Sequence, residues 1–256
     1  MLRNRIIFSL IYNNGAFMQS RNFRLQRVGD INWLEKNYKF QQIAGSLDEL
    51  VVVNASRGEK DMAAFSKIVS RLVDDVFIPV TAGGGIRCIE DAEILFNCGA
   101  DKIILNSALV NTPEVAQKIV EKYGSQSLVA SIDYKLIGNE PVLFIKDGTT
   151  QLEKSFESYI EELHELNVGE VYLNSIDKDG TGFGYDLETI NRFANKFSMP
   201  LIVAGGAGNE KHLLEAIQID NVAAVATANL FNFVGRGLPV ARQYMIKKKA
   251  NLACWN

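Results

Sequence analysis

TAGGGI at residues 81–86 returns as VAGGAG at residues 203–208, 122 positions later, and the reading of this echo decides the fold. The likeness runs past the glycines. Behind Pro79 the chain continues as VTAGGGIRCIEDAEILFNCGADKIILNSALV, and behind Pro200 as LIVAGGAGNEKHLLEAIQIDNVAAVATANLF. Each copy reads as an apolar strand, a glycine turn, a helix, a second strand and a small polar residue, which is the signature of an internal structural repeat.

Eight short β-branched, apolar runs extend the pattern over the whole chain: RIIFSLIY (5–12), ELVVVNAS (49–56), IPVTAGGG (78–85), KIILNS (102–107), SLVASIDY (127–134), EVYLNSID (170–177), PLIVAGG (200–206) and VAAVATAN (222–229). Near-continuous apolar strands suit a parallel sheet buried on both faces. Stretches of helical period, such as DMAAFSKIVSRLVDD, SFESYIEELHELN and LETINRFANKF, follow nearly all of them. Eight βα units predict an α/β fold, a (β/α)8 TIM barrel built from two half-barrels of about 1–123 and 124–256, forming one domain over 1–256. A doubly wound sheet is the rival, and two matching sets of four strands favour the closed barrel. KLIGNEPVLFIKDGTT, after the fifth strand, reads as an inserted hairpin turning at GNE.

Composition narrows the function. A length of 256 residues with 47% hydrophobic content suits a single large core, and a formal charge of −3 gives no basic field for nucleic acid. Lys247, Lys248 and Lys249 read as the solvated end of a last helix, with Trp255 expected to pack on the barrel base or an interface. Cys88, Cys98 and Cys254 are odd in number and lack a CxxC, so neither a disulfide framework nor a metal site is expected, and no cofactor is implied. The apolar run in MLRNRIIFSLIYNNG is too short to span a bilayer, which predicts a cytoplasmic protein with no membrane partner. His164 and His212 fall within predicted helices and are read as structural.

In such barrels the working face is formed by the C-terminal ends of the strands. Gly83, Gly84 and Gly85, and again Gly205, Gly206 and Gly208, lie there, where bare backbone N–H groups close on an anion beside a helix N-terminus. Asn106 and Ser107 complete the first cup, Thr227 and Ala228 the second. Two cups across one mouth suit a substrate carrying two phosphates; tight βα turns are the plainer use of the same glycines. SID occurs twice, ending at Asp133 and Asp177, the second continuing to Asp179, Gly180 and Thr181. Asp133 at a strand end is a candidate general acid, its pKa raised by burial, while Asp177 or Asp179 could instead cap a helix. The repeat pairs Asp133 with Ile11, a side chain that exchanges no proton.

RIIFSLIYNNG, DELVVVNAS, TAGGGI, GADKIILNSALV, GSQSLVASIDYK, NSIDKDGTGFGYD and VAGGAG together resemble, from end to end, the cyclase subunit of imidazole glycerol phosphate synthase. The resemblance implies a (β/α)8 barrel in a heterodimer with a glutaminase, ammonia passing through the barrel to a doubly phosphorylated ribonucleotide. It implies phosphate contacts at Gly84, Gly85, Asn106, Ser107, Asp179, Gly180, Thr181, Gly206, Thr227 and Ala228, and a catalytic acid at Asp133. It implies an ammonia gate of Arg5, Glu49, Lys102 and Glu170, and a glutaminase contact at Asp101. Three positions depart from the family: its first catalytic aspartate is Ile11, a substrate-binding lysine is Gln19, and an acidic strand end is Asn54. Ala228 stands where the second cup has a serine.

A retained conduit with a lost reaction centre is similar to paralogues found with surface-polysaccharide genes, which implies ammonia supply for an acetamidino sugar together with a sugar amidotransferase. A working histidine-pathway cyclase relying on Asp133, and a non-catalytic scaffold that only conducts ammonia, stay open beside it.

Overall fold

The computed structural model describes residues 3–38, 44–58, 60–229 and 236–254. Eight parallel strands close into a barrel in the order β1 (Arg5–Asn13), β4 (Glu49–Asn54), β5 (Val80–Gly83), β6 (Lys102–Leu105), β7 (Leu128–Ile137), β10 (Glu170–Ser175), β11 (Leu201–Ala204) and β12 (Val222–Thr227). Pairing of β12 with β1 and of β7 with β10 completes the circle, which excludes the open doubly wound sheet. All eight runs read from the sequence are barrel strands.

Alternation along the strands sorts the two sides of the wall. Leu50, Val52, Ile103, Leu105, Val171 and Leu173 belong to the large core between barrel and helices, while Ile7, Val51, Ile104, Val129, Tyr172, Ile202 and Ala224 pack together in the bore. Period-two burial on both faces explains why these strands read as unbroken apolar runs. Outside, the helix Met62–Asp75 buries Phe65, Val69 and Leu72, and Asp61 starts it by accepting a bond from the Ala64 amide at 2.9 Å. The helix Gly237–Lys247 ends the barrel with Lys247, Lys248 and Lys249 exposed. Trp255 lies outside the described residues. Among these residues no helix is long and apolar enough to cross a membrane.

Two antiparallel hairpins rise from the C-terminal strand ends. β7 runs on past the barrel and returns as β8 (Glu140–Ile145), against which β9 (Thr150–Gln151) pairs, with Gly138 and Asn139 both at positive φ in the β7–β8 turn, the geometry a two-residue hairpin favours. The other was not anticipated from sequence: β1 continues into β2 (Ala16–Arg21) and β3 (Arg24–Gly29), turning at Asn22 and Phe23. It carries Gln19, Ser20, Phe23 and Leu25 over the barrel mouth.

Candidate functional site

A cavity of about 710 Å³ opens at the C-terminal face. Its walls include both glycine turns, Gly84 and Gly85 on one side and Gly206 on the other, with Asn106, Ser107, Asp133, Asp179, Gly180, Thr227 and Ala228 between them. Ile11, Gln19 and Asn54, the departing positions, line the same space. Of the residues expected there, Gly83, Thr181 and Gly208 do not line the cavity, and the Thr181 hydroxyl donates to the Lys178 carbonyl at 2.8 Å. Neither Asp177 nor Asp179 caps a helix. Asp186 does so for Leu187–Phe193, and Asp177 instead accepts a bond from the Leu136 amide at 2.7 Å, tying the β7–β8 hairpin to the next strand's loop.

Gly84 and Gly85 hold φ of +93° and +90°, and a Cβ on Gly84 would stand 2.3 Å from the Asn54 carbonyl oxygen, so only glycine fits. Lys60 lies over this first turn, its Cδ 2.4 Å from where a Gly85 Cβ would be and its Nζ donating to the Asn54 carbonyl at 2.6 Å. In the second turn the Gly208 amide is already taken by His212 Nδ1 at 3.2 Å, which assigns that histidine a structural bond. His164 likewise accepts from the Ser198 amide at 3.2 Å.

Asp133 sits at the cavity's centre, receiving Asn106 Nδ2 on one carboxylate oxygen at 3.2 Å and Asn174 Nδ2 on the other at 3.3 Å. Burial pushes its pKa up to about 7; the Asn174 bond opposes the rise, and Asp147 and Asp179 add to it. The folded chain therefore keeps this proton between about pH 4 and pH 7, where the unfolded chain has lost it. Stability is highest below the unfolded pKa and falls as pH rises through that window. Each pKa unit corresponds to about 1.4 kcal/mol, so Asp133→Asn is expected to exceed the parent in stability by a few kcal/mol at pH 8 and to match it at pH 4. Urea unfolding at both pH values measures this, and an equal gap at the two would show that Asp133 is ordinary.

Asp179 is buried, and burial raises its pKa against bonds from the Ser20 hydroxyl and the Phe23 amide. Those bonds clamp the β2–β3 hairpin to the loop after β10. Gly180 completes the clamp: its φ is +67°, and an added Cβ would stand 1.9 Å from the Ser20 carbonyl oxygen. Gly180→Ala is expected to cost about 2 kcal/mol or more, read as a lower urea midpoint; a loss under about 0.5 kcal/mol would mean the hairpin yields freely.

Beneath the cavity, the Tyr172 hydroxyl meets the Ser9 hydroxyl at 2.9 Å. Their strands are separated by β11 and β12 in the sheet, so the side chain bars the bore. Below the apolar layer, at the strand starts, four charges form a closed alternating ring. Arg5 pairs with Glu49 at 2.7 Å and with Glu170, and Lys102 pairs with Glu49 at 3.1 Å and with Glu170 at 2.7 Å. Thr81 donates to Glu49 at 2.6 Å. Burial opposes ionisation of Glu170, yet Arg5 and Lys102 outweigh it and hold its pKa below the ordinary carboxylate value. Asp101 lies at the same end, accepting the Val80 amide at 2.8 Å.

Several cavity residues were not among those expected: Arg57, Lys60, Arg87, Lys146, Asp147, Tyr172 and Asn174.

Residues 9–234 match the family described as histidine biosynthesis protein. The "Putative imidazole glycerol phosphate synthase subunit hisF2" of Parasynechococcus marenigrum is 44% identical over 256 residues, covering 100% of this chain and 95% of that one. The imidazole glycerol phosphate synthase subunit HisF of Chlorobium phaeobacteroides is 36% identical over 96% of both chains, and that of Pyrobaculum aerophilum 35% identical over 90% of both. With the barrel, the paired glycine turns and this similarity along its length, the chain belongs to the HisF family of imidazole glycerol phosphate synthase subunits.

Proposed function

We propose that this chain is a HisF-like subunit that receives ammonia from a glutaminase partner and has given up cyclisation. It delivers the ammonia to formation of an acetamidino group on a surface-polysaccharide sugar, with a separate sugar amidotransferase making the bond. The observation that carries this reading is the contrast along one axis: the ring of Arg5, Glu49, Lys102 and Glu170 is complete, while Ile11 brings an apolar side chain to the cavity that holds Asp133.

In this reading the ring is the ammonia gate, and Asp101 faces the glutaminase in a heterodimer. Phe77, 86% exposed just before β5, offers the partner an apolar contact at the same end. Ammonia then passes the Tyr172–Ser9 bar, whose two hydroxyls suit a small neutral molecule that both donates and accepts hydrogen bonds. The first glycine cup holds a phosphorylated ligand through Gly84, Gly85, Asn106 and Ser107, and the rest of the ligand extends toward Gly180, Gly206, Thr227 and Ala228.

A second reading, a working histidine-pathway cyclase, draws on Asp133, whose raised pKa of about 7 suits a general acid. The two separate in a strain from which this gene is deleted, grown on glutamine labelled with ¹⁵N at the amide. The ammonia-delivery reading expects growth without histidine and loss of label from the acetamidino sugar. A histidine requirement with the sugar label intact would replace it by the cyclase reading.

A further inference from the structure

The cations that line the cavity are unevenly placed. Arg57, Lys60 and Arg87 stand beside the first glycine turn, and Lys146 joins them from the β7–β8 hairpin, its amide donating to the Ser107 hydroxyl at 3.1 Å. Among the described residues the second turn contributes no lysine or arginine to the cavity lining; Lys178, in the loop after β10, is not part of that lining. Asp179 is engaged by Ser20 and Phe23, Gly208 by His212, and Ala228 has no hydroxyl to offer. One end of the cavity is therefore equipped for far more negative charge than the other.

Lys60 is the telling residue. Its stem crosses the bare backbone of Gly85, and its amine bonds to a main-chain carbonyl, a neutral acceptor where an anion would bind better. Burial lowers its pKa most, Asp147 raises it, and Arg87 lowers it by less than Asp147 raises it. An anion seated on the glycine turn would offer both Lys60 and Arg87 a charged partner, and with Asp147 counted against the four cations a single phosphate dianion still leaves one of them uncompensated.

We propose that the first glycine turn, with Arg57, Lys60, Arg87 and Lys146, binds a diphosphate group, so that the ligand is a diphosphate ester charged at one end of the cavity. This rests on the phosphate-binding part of the function proposed above and not on ammonia delivery. Two adjacent phosphates span the glycine amides and the cationic rim together, whereas a ligand with one phosphate at each end would leave its second group among Thr227, Ala228 and an already occupied Gly208 amide.

The test is isothermal titration of the purified full chain with inorganic pyrophosphate and with orthophosphate, in EDTA to exclude metal complexes. Pyrophosphate is expected to bind about tenfold or more tightly than orthophosphate, a difference of about 1.4 kcal/mol. The variants Lys60→Gln and Arg87→Gln are expected each to weaken pyrophosphate binding severalfold, and by more than they weaken orthophosphate, and thermal melts confirm their folding. Lys118→Gln, on the exposed face of the helix Pro113–Tyr123 and outside the cavity lining, is expected to leave pyrophosphate binding unchanged. Equal affinity for the two anions, no binding of either, indifference to both first-turn variants, or loss of binding in Lys118→Gln would each overturn the proposal. None of these outcomes alters the isotope result above, and loss of the ammonia reading leaves the titration as it stands.

Discussion

Ile11→Asp combined with Gln19→Lys is expected to bring ammonium-driven cyclase turnover from none detectable in the parent to about a hundredfold above background. The family's ribonucleotide and ammonium salt at alkaline pH supply the reaction without a glutaminase. Cleavage and cyclisation need a proton given on one side and taken on the other, and a positioned carboxylate contributes roughly 10²–10⁴ to such a step. Asp133 is in place between two asparagine amides. Ile11 lines the same cavity and neither ionises nor orders a water. The new aspartate enters a site already holding Asp133 and Asp179, so its own pKa will rise and the rescue will be partial. Ile11→Asn with Gln19→Lys, polar but unable to ionise, is the control and should stay inactive. Parent turnover equal to that of the rescued variant would show the aspartate to be dispensable.

Arg242→Met is expected to be the most destabilising single change, at about 3–5 kcal/mol. The guanidinium forks onto both oxygens of Asp48 at 2.8 and 2.9 Å, and also reaches the Ala253 carbonyl at 2.6 Å. Asp48 in turn accepts the Ile6 amide at 2.8 Å. One side chain thus fastens the last helix, the tail and the segment before β4 to the start of β1. Arg242 is 4% exposed, so its loss strands a buried carboxylate. For a chain of this size, 1 kcal/mol shifts the melting temperature by roughly 2–4 °C, which places the expected drop on the order of 10 °C. Adding Asp48→Asn removes the stranded charge but keeps an acceptor for Ile6, and should recover part of the loss. A drop under about 2 °C would mean the pair is energetically idle.

The barrel was legible because its strands are buried on both faces, and β-branched apolar runs such as IIFSLIY and ELVVVN have few other uses. The β7–β8 hairpin was legible through Gly138 and Asn139, residue types that accept positive φ. The β2–β3 hairpin was not: β3 reads RLQRVG, largely exposed or half-exposed, so no apolar alternation marks it. Its turn uses Phe23 at φ +61°, a residue type that signals no turn.

The site divides the same way. Glycines at strand ends, Asp133 and the four strand-start charges occupy positions that the repeat and the resemblance single out. Lys60 and Arg87 reach the cavity from loops beyond the glycine and strand-end motifs, and the Tyr172–Ser9 bond joins strands 163 residues apart. Convergence of that kind leaves no local pattern.

The loss of cyclase chemistry is tested most directly in a histidine-requiring strain that lacks its own HisF but keeps its glutaminase. Expression of this chain is expected to leave the strain unable to grow without histidine, while expression of an authentic HisF restores growth. Growth supported by the unaltered chain would show that Ile11 is compatible with cyclisation and would contradict the loss.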